Sequence, residues 1–413
     1  MILRKGGNHM KVLWINNIAI PKIAIDMGQK TVPVGGWMVK LADELVAIPD
    51  MKLYIMFPSH SEVSGSVDNI QYTGFMPTDE KCVERVLAQF EPDVVHIHGT
   101  EGVHSNVVAR VCERMGIINR VIVSIQGLMS IYAKHYRAFL PNNVVYGMTA
   151  RDVLKGNVYK GQNAFAKAGK LEIDTLSRVK HVIGRTDWDR AVTKQINPQV
   201  NYHFNNEMLR NSFYPNRWEI NNCERYSIFC SQATAPLKGL HMVIEAMAII
   251  KERYPEVQLF IAGKSYTQKP KYQLSRYEKY VLSLISKYKL QDRVHFTGFL
   301  NEEEICSRYL KSHVFVSASS IENSPNSVCE AMILGMPVVS SMVGGVANLM
   351  THGVDGFYYQ ADAPYMLAYY VEKIFENDKR AVGIGTNARN CALERHDPET
   401  IVDELLQIYN AIN

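Results

Sequence analysis

The chain has 413 residues, 47% of them apolar and 21% charged, with a formal net charge of +4. That length exceeds one ordinary hydrophobic core and predicts two domains of a soluble globular protein. The mild charge, with no basic helix or zinc-finger spacing, argues against nucleic acid as a partner. The seven cysteines (82, 112, 223, 230, 306, 329 and 391) form no CxxC pair, which predicts free thiols in a reducing, cytoplasmic setting and no zinc site. No stretch approaches the ~20 apolar residues of a membrane span. The apolar run near the N-terminus breaks at Asn16-Asn17 and reads as a strand, with Met10 a candidate start, better than as a signal peptide.

In chain order, β-rich runs at 12–15, 53–57, 94–97, 121–125 and 181–183 alternate with helix-like stretches such as 37–46, 81–90 and 105–115. Residues 130–171 stand apart, with seven Lys or Arg against one acid, interleaved with Tyr132, Tyr136, Phe139, Tyr146, Tyr159 and Phe165. The strand pattern restarts at 227–230, 258–262, 294–297, 314–317 and 337–340. Short connections between strands and helices predict parallel sheets covered on both faces, so the expectation is an α/β protein of two doubly wound domains. Their expected bounds are 10–214 and 215–396. The tail, 397–413, reads as an amphipathic helix with Ile401, Leu405, Ile408 and Ile412 on one face, and is expected to pack back on the first domain.

The most informative stretch runs from Ser319 to Met332. Pro325 suits a first helical position, which makes Ser324 the expected N-cap and Gly335 the expected C-terminal stop. Glu322 then stands at the mouth of the helix and Glu330 more than one turn inside it. Helix-start amides between two carboxylates suit a ligand with phosphates in the middle and hydroxyls at both ends, such as a sugar, a diphosphate and a ribose. A plain capped βα unit with one satisfied buried glutamate would give the same string.

Two glutamates eight residues apart followed by Gly335-Met336-Pro337-Val338 resemble the retaining glycosyltransferases of family 4, the group of bacterial polysaccharide-type enzymes with the GT-B fold. Gly35-Gly36, Pro236-Leu237-Lys238-Gly239, the run 294–300 (VHFTGFL), Gly344-Gly345 and Gly353-Val354-Asp355-Gly356-Phe357 follow in the family's order. The resemblance implies two Rossmann-like domains facing a cleft. It implies a nucleotide-sugar donor, UDP- or GDP-linked, and a saccharide or lipid-linked saccharide acceptor in cell-surface polysaccharide synthesis. Glu322 would bond donor-sugar hydroxyls and Glu330 the ribose, while Lys238 would neutralise the diphosphate beside the amides of Gly35 and Gly36. Phe299 and Leu300 would receive the base, and Asn323, Ser324, Asn326 and Ser327 would complete the donor site. Lys238 and Glu322 are the expected catalytic pair, with no metal and no cofactor required.

Some positions depart from the family. Gln232 and Ala233 stand where an Arg usually precedes the Lys, so Lys264 is a candidate substitute. Gln126-Gly127 replaces a common His, and Asn348 replaces a Glu. His98, Gln126, Lys134 and His135 are acceptor-side candidates. His96 and His98 share one strand face, and either acceptor contact or packing explains them. Asp187-Trp188-Asp189 reads as a helix start better than as a metal-binding DxD. The basic, aromatic 130–171 segment is a candidate patch for an anionic membrane surface, at the inner face of the cytoplasmic membrane, or plain solvated helix. A nucleotide-sugar 2-epimerase and a non-catalytic nucleotide-sugar-binding protein are the alternatives, while no G-x-G-x-x-G supports a dinucleotide oxidoreductase.

Overall fold

The structure, a computed structural model, describes residues 10–29, 36–231 and 233–412. It divides into two compact units, one of Met1–Ser130, Lys167–Met208 and His396–Asn413, the other of Ile131–Ala166 and Leu209–Arg395.

The first unit is built on an eight-stranded sheet of β1 (Met10–Ile15), β2 (Met51–Pro58), β3 (Val63–Val67), β4 (Ile70–Phe75), β5 (Val94–His98), β6 (Val121–Ser124), β7 (His181–Gly184) and β8 (Asn201–Phe204). Their order is β3-β4-β2-β1-β5-β6-β7-β8, and every pairing is parallel except β3 with β4. Val12, Trp14, Leu53, Ile55 and Val94 are buried in its core, as the continuous apolar runs require. The β3–β4 hairpin is absent from the sequence reading because VSGSV carries little apolar signal. Its turn, Asp68-Asn69 with φ of 47° and 63°, has the two-residue chemistry that would have revealed it. The tail helix Pro398–Ile412 belongs to this unit and buries Ile401, Leu405 and Tyr409. Tyr409 Oη accepts from Trp14 Nε1 (3.1 Å) and bonds His96 Nδ1 (2.6 Å).

The second unit carries β9 (Glu224–Cys230), β10 (Gln258–Ala262), β11 (Val294–Gly298), β12 (Ser312–Ser317), β13 (Val338–Ser341) and β14 (Phe357–Tyr359) in the all-parallel order β11-β10-β9-β12-β13-β14. The order reverses between β9 and β12, and such a switch point opens a crevice at the strands' carboxyl ends. Residues 131–166, expected inside a contiguous first domain, group with this unit instead. Val144 and Val158 join its core, and the buried Asp152 accepts from the Arg276 amide (2.7 Å). Burial therefore decides membership, and chain adjacency does not.

Tyr409→Phe should destabilise the protein by about 1–3 kcal/mol, because it leaves the buried Trp14 and His96 nitrogens without the hydroxyl. Urea denaturation reads this directly, and an unchanged midpoint would contradict the anchoring role of the tail.

Candidate functional site

In the second unit, β9 runs on through a 3-10 turn, Pro236–Lys238, to Gly239 at φ 69°. A Cβ on Gly239 would lie 1.8 Å from the Ala318 carbonyl oxygen, so the turn reaches the loop after β12 only as glycine. The Ser320 amide seals the approach by donating to Leu237 O (2.8 Å). Lys238 Nζ consequently donates to Glu322 Oε1 (2.5 Å), and Ser319 Oγ donates to the same oxygen (2.6 Å). Gly344, at φ 51°, gives a second close approach, since its Cβ would lie 1.9 Å from Glu322 O. The Gly345 amide bonds that carbonyl (3.0 Å). Tyr132 Oη accepts from Asn323 N (3.1 Å), and Ser320 Oγ donates to His135 O (3.0 Å).

The helix that follows is Asn326–Leu334. Ser324 is not its N-cap. Pro325, extended at ψ 115°, holds that position, and no side chain caps the helix. The first-turn amides at Asn326 and Ser327 are thus not consumed by a side-chain cap, and they stand beside the buried Asn323 and Ser324. One turn further in, Glu330 is forked by Arg210, with Nε to Oε1 and Nη2 to Oε2 both at 2.7 Å. Arg210 also lies over the Phe213 ring (4.7 Å). Burial pushes the Glu330 carboxyl upward against the opposing pull of Arg210. Sequence reasoning missed Arg210, because no spacing rule links residues 120 positions apart.

Beyond β11, Phe299 is 77% exposed while Leu300 packs partly against the core. Lys264 follows β10 on the surface, and Ala233 is buried. Gly35 and Gln232 lie outside the described residues, and Gly36 opens the helix Gly36–Val46.

The first unit has its own switch point, between β1 and β5. There Asn17 Nδ2 donates to Glu101 Oε2 (3.0 Å) and Gly127 N to Glu101 Oε1 (3.3 Å). Asn16 is fully buried with neither side-chain atom hydrogen-bonded. Glu172 accepts from Thr100 Oγ1 (3.0 Å), Met129 N (2.7 Å) and Ser130 N (3.0 Å), and burial raises the carboxyls of both Glu101 and Glu172. His98 is buried, its ring 3.9 Å from that of His96 and 4.7 Å from that of Trp14, and burial lowers it to about 3. It lines a cavity of about 30 Å³ with Arg185, Asn206 and Glu207. Glu207 pairs with Arg185 and accepts from Gln126 Nε2 (2.5 Å). His98 and Gln126 are the sequence candidates that fall in this cluster, while Asn16, Asn17, Glu101, Arg185 and Glu207 are not among them. Lys134 and His135, taken as acceptor-side, fall instead in the second unit, where the His135 carbonyl meets the Glu322 loop. Asp189 closes a capping box with Thr186 at the helix Asp187–Ile196, which accounts for the DxD string.

Residues 213–391 match the family described as glycosyl transferases group 1. An uncharacterised glycosyltransferase of Bacillus subtilis, YqgM, is 30% identical over 190 residues, 46% of this chain and 50% of that protein. A Salmonella typhimurium protein named for colanic acid biosynthesis, the glycosyltransferase WcaL, is 25% identical over 182 residues, 42% of each chain. The matched stretch spans about half the length of the curated relatives. Among solved structures, Anabaena HepE in complex with UDP and glucose superposes with a TM-score of 0.70 at 17% identity, over 98% of this chain and 100% of that one. That likeness shows the fold, which is GT-B.

Removing one partner of the buried fork should be far worse than removing both charges. Arg210→Ala should cost about 3–5 kcal/mol in urea denaturation by stranding the Glu330 carboxylate. The pair Arg210→Met with Glu330→Gln should recover most of that loss, whereas simple additivity would show the two groups to be energetically independent.

Proposed function

We propose, for a chain whose residues 213–391 match the glycosyl transferases group 1 family, that it transfers a sugar with retention from a UDP- or GDP-linked donor to a saccharide or lipid-linked saccharide. The observation that carries this reading is the meeting of Lys238 with Glu322 at the mouth of an uncapped helix that holds Glu330 one turn inside. Glu322 would bond donor-sugar hydroxyls through its second oxygen. Lys238 engages Glu322 with one of its three N–H donors, leaving the others for the diphosphate. Rupture of the sugar–phosphate bond places additional negative charge on the leaving diphosphate, and the ammonium and the first-turn amides would stabilise it there. Glu330, held by Arg210, keeps acceptor capacity for the ribose, and the exposed Phe299 offers a face to the base.

HepE, of the same fold, is known with UDP and glucose, which supports a nucleotide-sugar donor. The name of WcaL supports a place in cell-surface polysaccharide synthesis. In the first unit, the Glu101–Asn17 pair suits acceptor hydroxyls. Charge on the leaving group is met here by lysine and backbone, so the reaction is proposed to need no metal.

Isothermal titration with UDP and GDP should find Glu330→Gln weaker by about 1–3 kcal/mol and Glu322→Gln close to wild type. Equal losses would dismiss the division of roles. Lys238→Ala should lower turnover about 10²–10³-fold with little change in thermal stability. Turnover should survive excess chelator, and its loss with recovery on adding Mn²⁺ would refute the metal-free chemistry.

A further inference from the structure

Two stretches far apart in sequence meet on one face of the second unit. The short helix Ala150–Lys155 packs on the 3-10 turn Lys271–Gln273. Thr149 Oγ1 donates to Leu274 O (2.9 Å), and the Asp152 carboxylate, wholly buried, accepts from Arg276 N (2.7 Å). These bonds turn the polar and acidic groups inward. Outward, Leu154 is 85% exposed, Tyr272 69% and Val153 61%. Large apolar side chains exposed on two stretches that pack together mark an interaction site more often than one isolated exposed residue does.

The charge around that cluster is predominantly positive. Residues 148–156 and 264–276 carry Arg151, Lys155, Lys264, Lys269, Lys271 and Arg276 against the buried Asp152, and the neighbouring buried Glu278 pairs with Lys269. Lys269 first, then burial and more weakly Lys155, hold the Lys264 ammonium below its ordinary range against the opposing pull of Glu278. A second copy of the chain would bring the same cations face to face. An anionic surface that also accepts apolar side chains complements both features.

We propose that this face docks the protein on an anionic lipid bilayer, with Val153, Leu154 and Tyr272 entering the headgroup boundary and the lysines meeting lipid phosphates. The surface takes only the 148–156 stretch from the basic 130–171 segment of the sequence. Lys167 and Lys170 belong to the other unit, and Lys264, Lys271 and Tyr272 come from more than a hundred positions away. The proposal does not rest on the transferase reading, because lipid binding is measured without any donor.

Co-sedimentation with phosphatidylcholine vesicles, with and without phosphatidylglycerol, tests it. The wild type should pellet with the anionic vesicles, and salt should release it. Lys155→Ser with Lys271→Ser should lower partitioning about fivefold for each cation removed. Leu154→Ser with Tyr272→Ser should also lower it, while the control Lys379→Ser with Arg380→Ser on another surface should not. A Leu154→Trp variant should shift its emission to the blue on anionic vesicles alone. Binding indifferent to lipid charge, or patch variants that partition like wild type, would overturn the proposal. So would a lipid-free dimer that Leu154→Ser dissolves. Calorimetry with UDP on the same variants reports the donor site separately.

Discussion

The ion pair between Lys238 and Glu322 is the contact on which the candidate donor site depends. Its two groups come from the loops after β9 and β12, neighbours in the sheet though 84 residues apart in the chain. They meet because the strand order reverses between those two strands, sending the connections to opposite faces and leaving a crevice at their ends. The pair also requires two backbone approaches that only glycine allows, at Gly239 against Ala318 and at Gly344 against Glu322. A pair of this kind adds little net stability, because desolvating both charges offsets most of their attraction. Its presence on a glycine-built cradle therefore points to a ligand as the reason for keeping both charges.

The two units repeat one topology, each with a carboxylate–cation pair, Glu322 with Lys238 and Glu207 with Arg185, but with different surroundings at the switch points. At the switch point of the second, carboxylates face cations, as Glu322 does Lys238 and Glu330 does Arg210. At that of the first, Glu101 faces amides, from the Asn17 side chain and the Gly127 backbone. Cations beside an uncapped helix start suit an anion, whereas amides and a carboxyl raised by burial suit hydroxyls. The proposed division between a donor and an acceptor side draws on this difference in the residues of each unit taken alone.

The strands were legible where parallel sheets bury them on both faces, as at 94–97 and 258–262, because such strands read as unbroken apolar runs. The hairpin at 63–75 and the short strands β8 and β14 lack that signal. Glu322, Glu330 and Lys238 were legible through local spacing. Arg210 was not, and neither was the membership of residues 131–166, because both depend on which distant surface a side chain reaches. Ser324 was taken for a cap because serine before proline is a common helix start. The ψ of 115° at Pro325 moves the start one residue on.

The departure at 233 has a physical consequence. Ala233 is buried in the core of the second unit, so an arginine there would meet packed apolar side chains and not an open crevice. The basic group that the family resemblance led us to expect ahead of the lysine therefore cannot be restored at 233 without disturbing the core. Arg210 does not replace it either, since its fork is closed on Glu330. Lys264 stands beyond the neighbouring strand β10, among like charges that lower its ammonium. Among the described residues of the second unit, the mouth of the helix holds one ammonium, already aligned by Glu322 and Ser319, together with first-turn amides that no side chain caps. Fixed dipoles and one oriented cation cost no reorganisation when charge develops, so alignment can substitute for a second positive group.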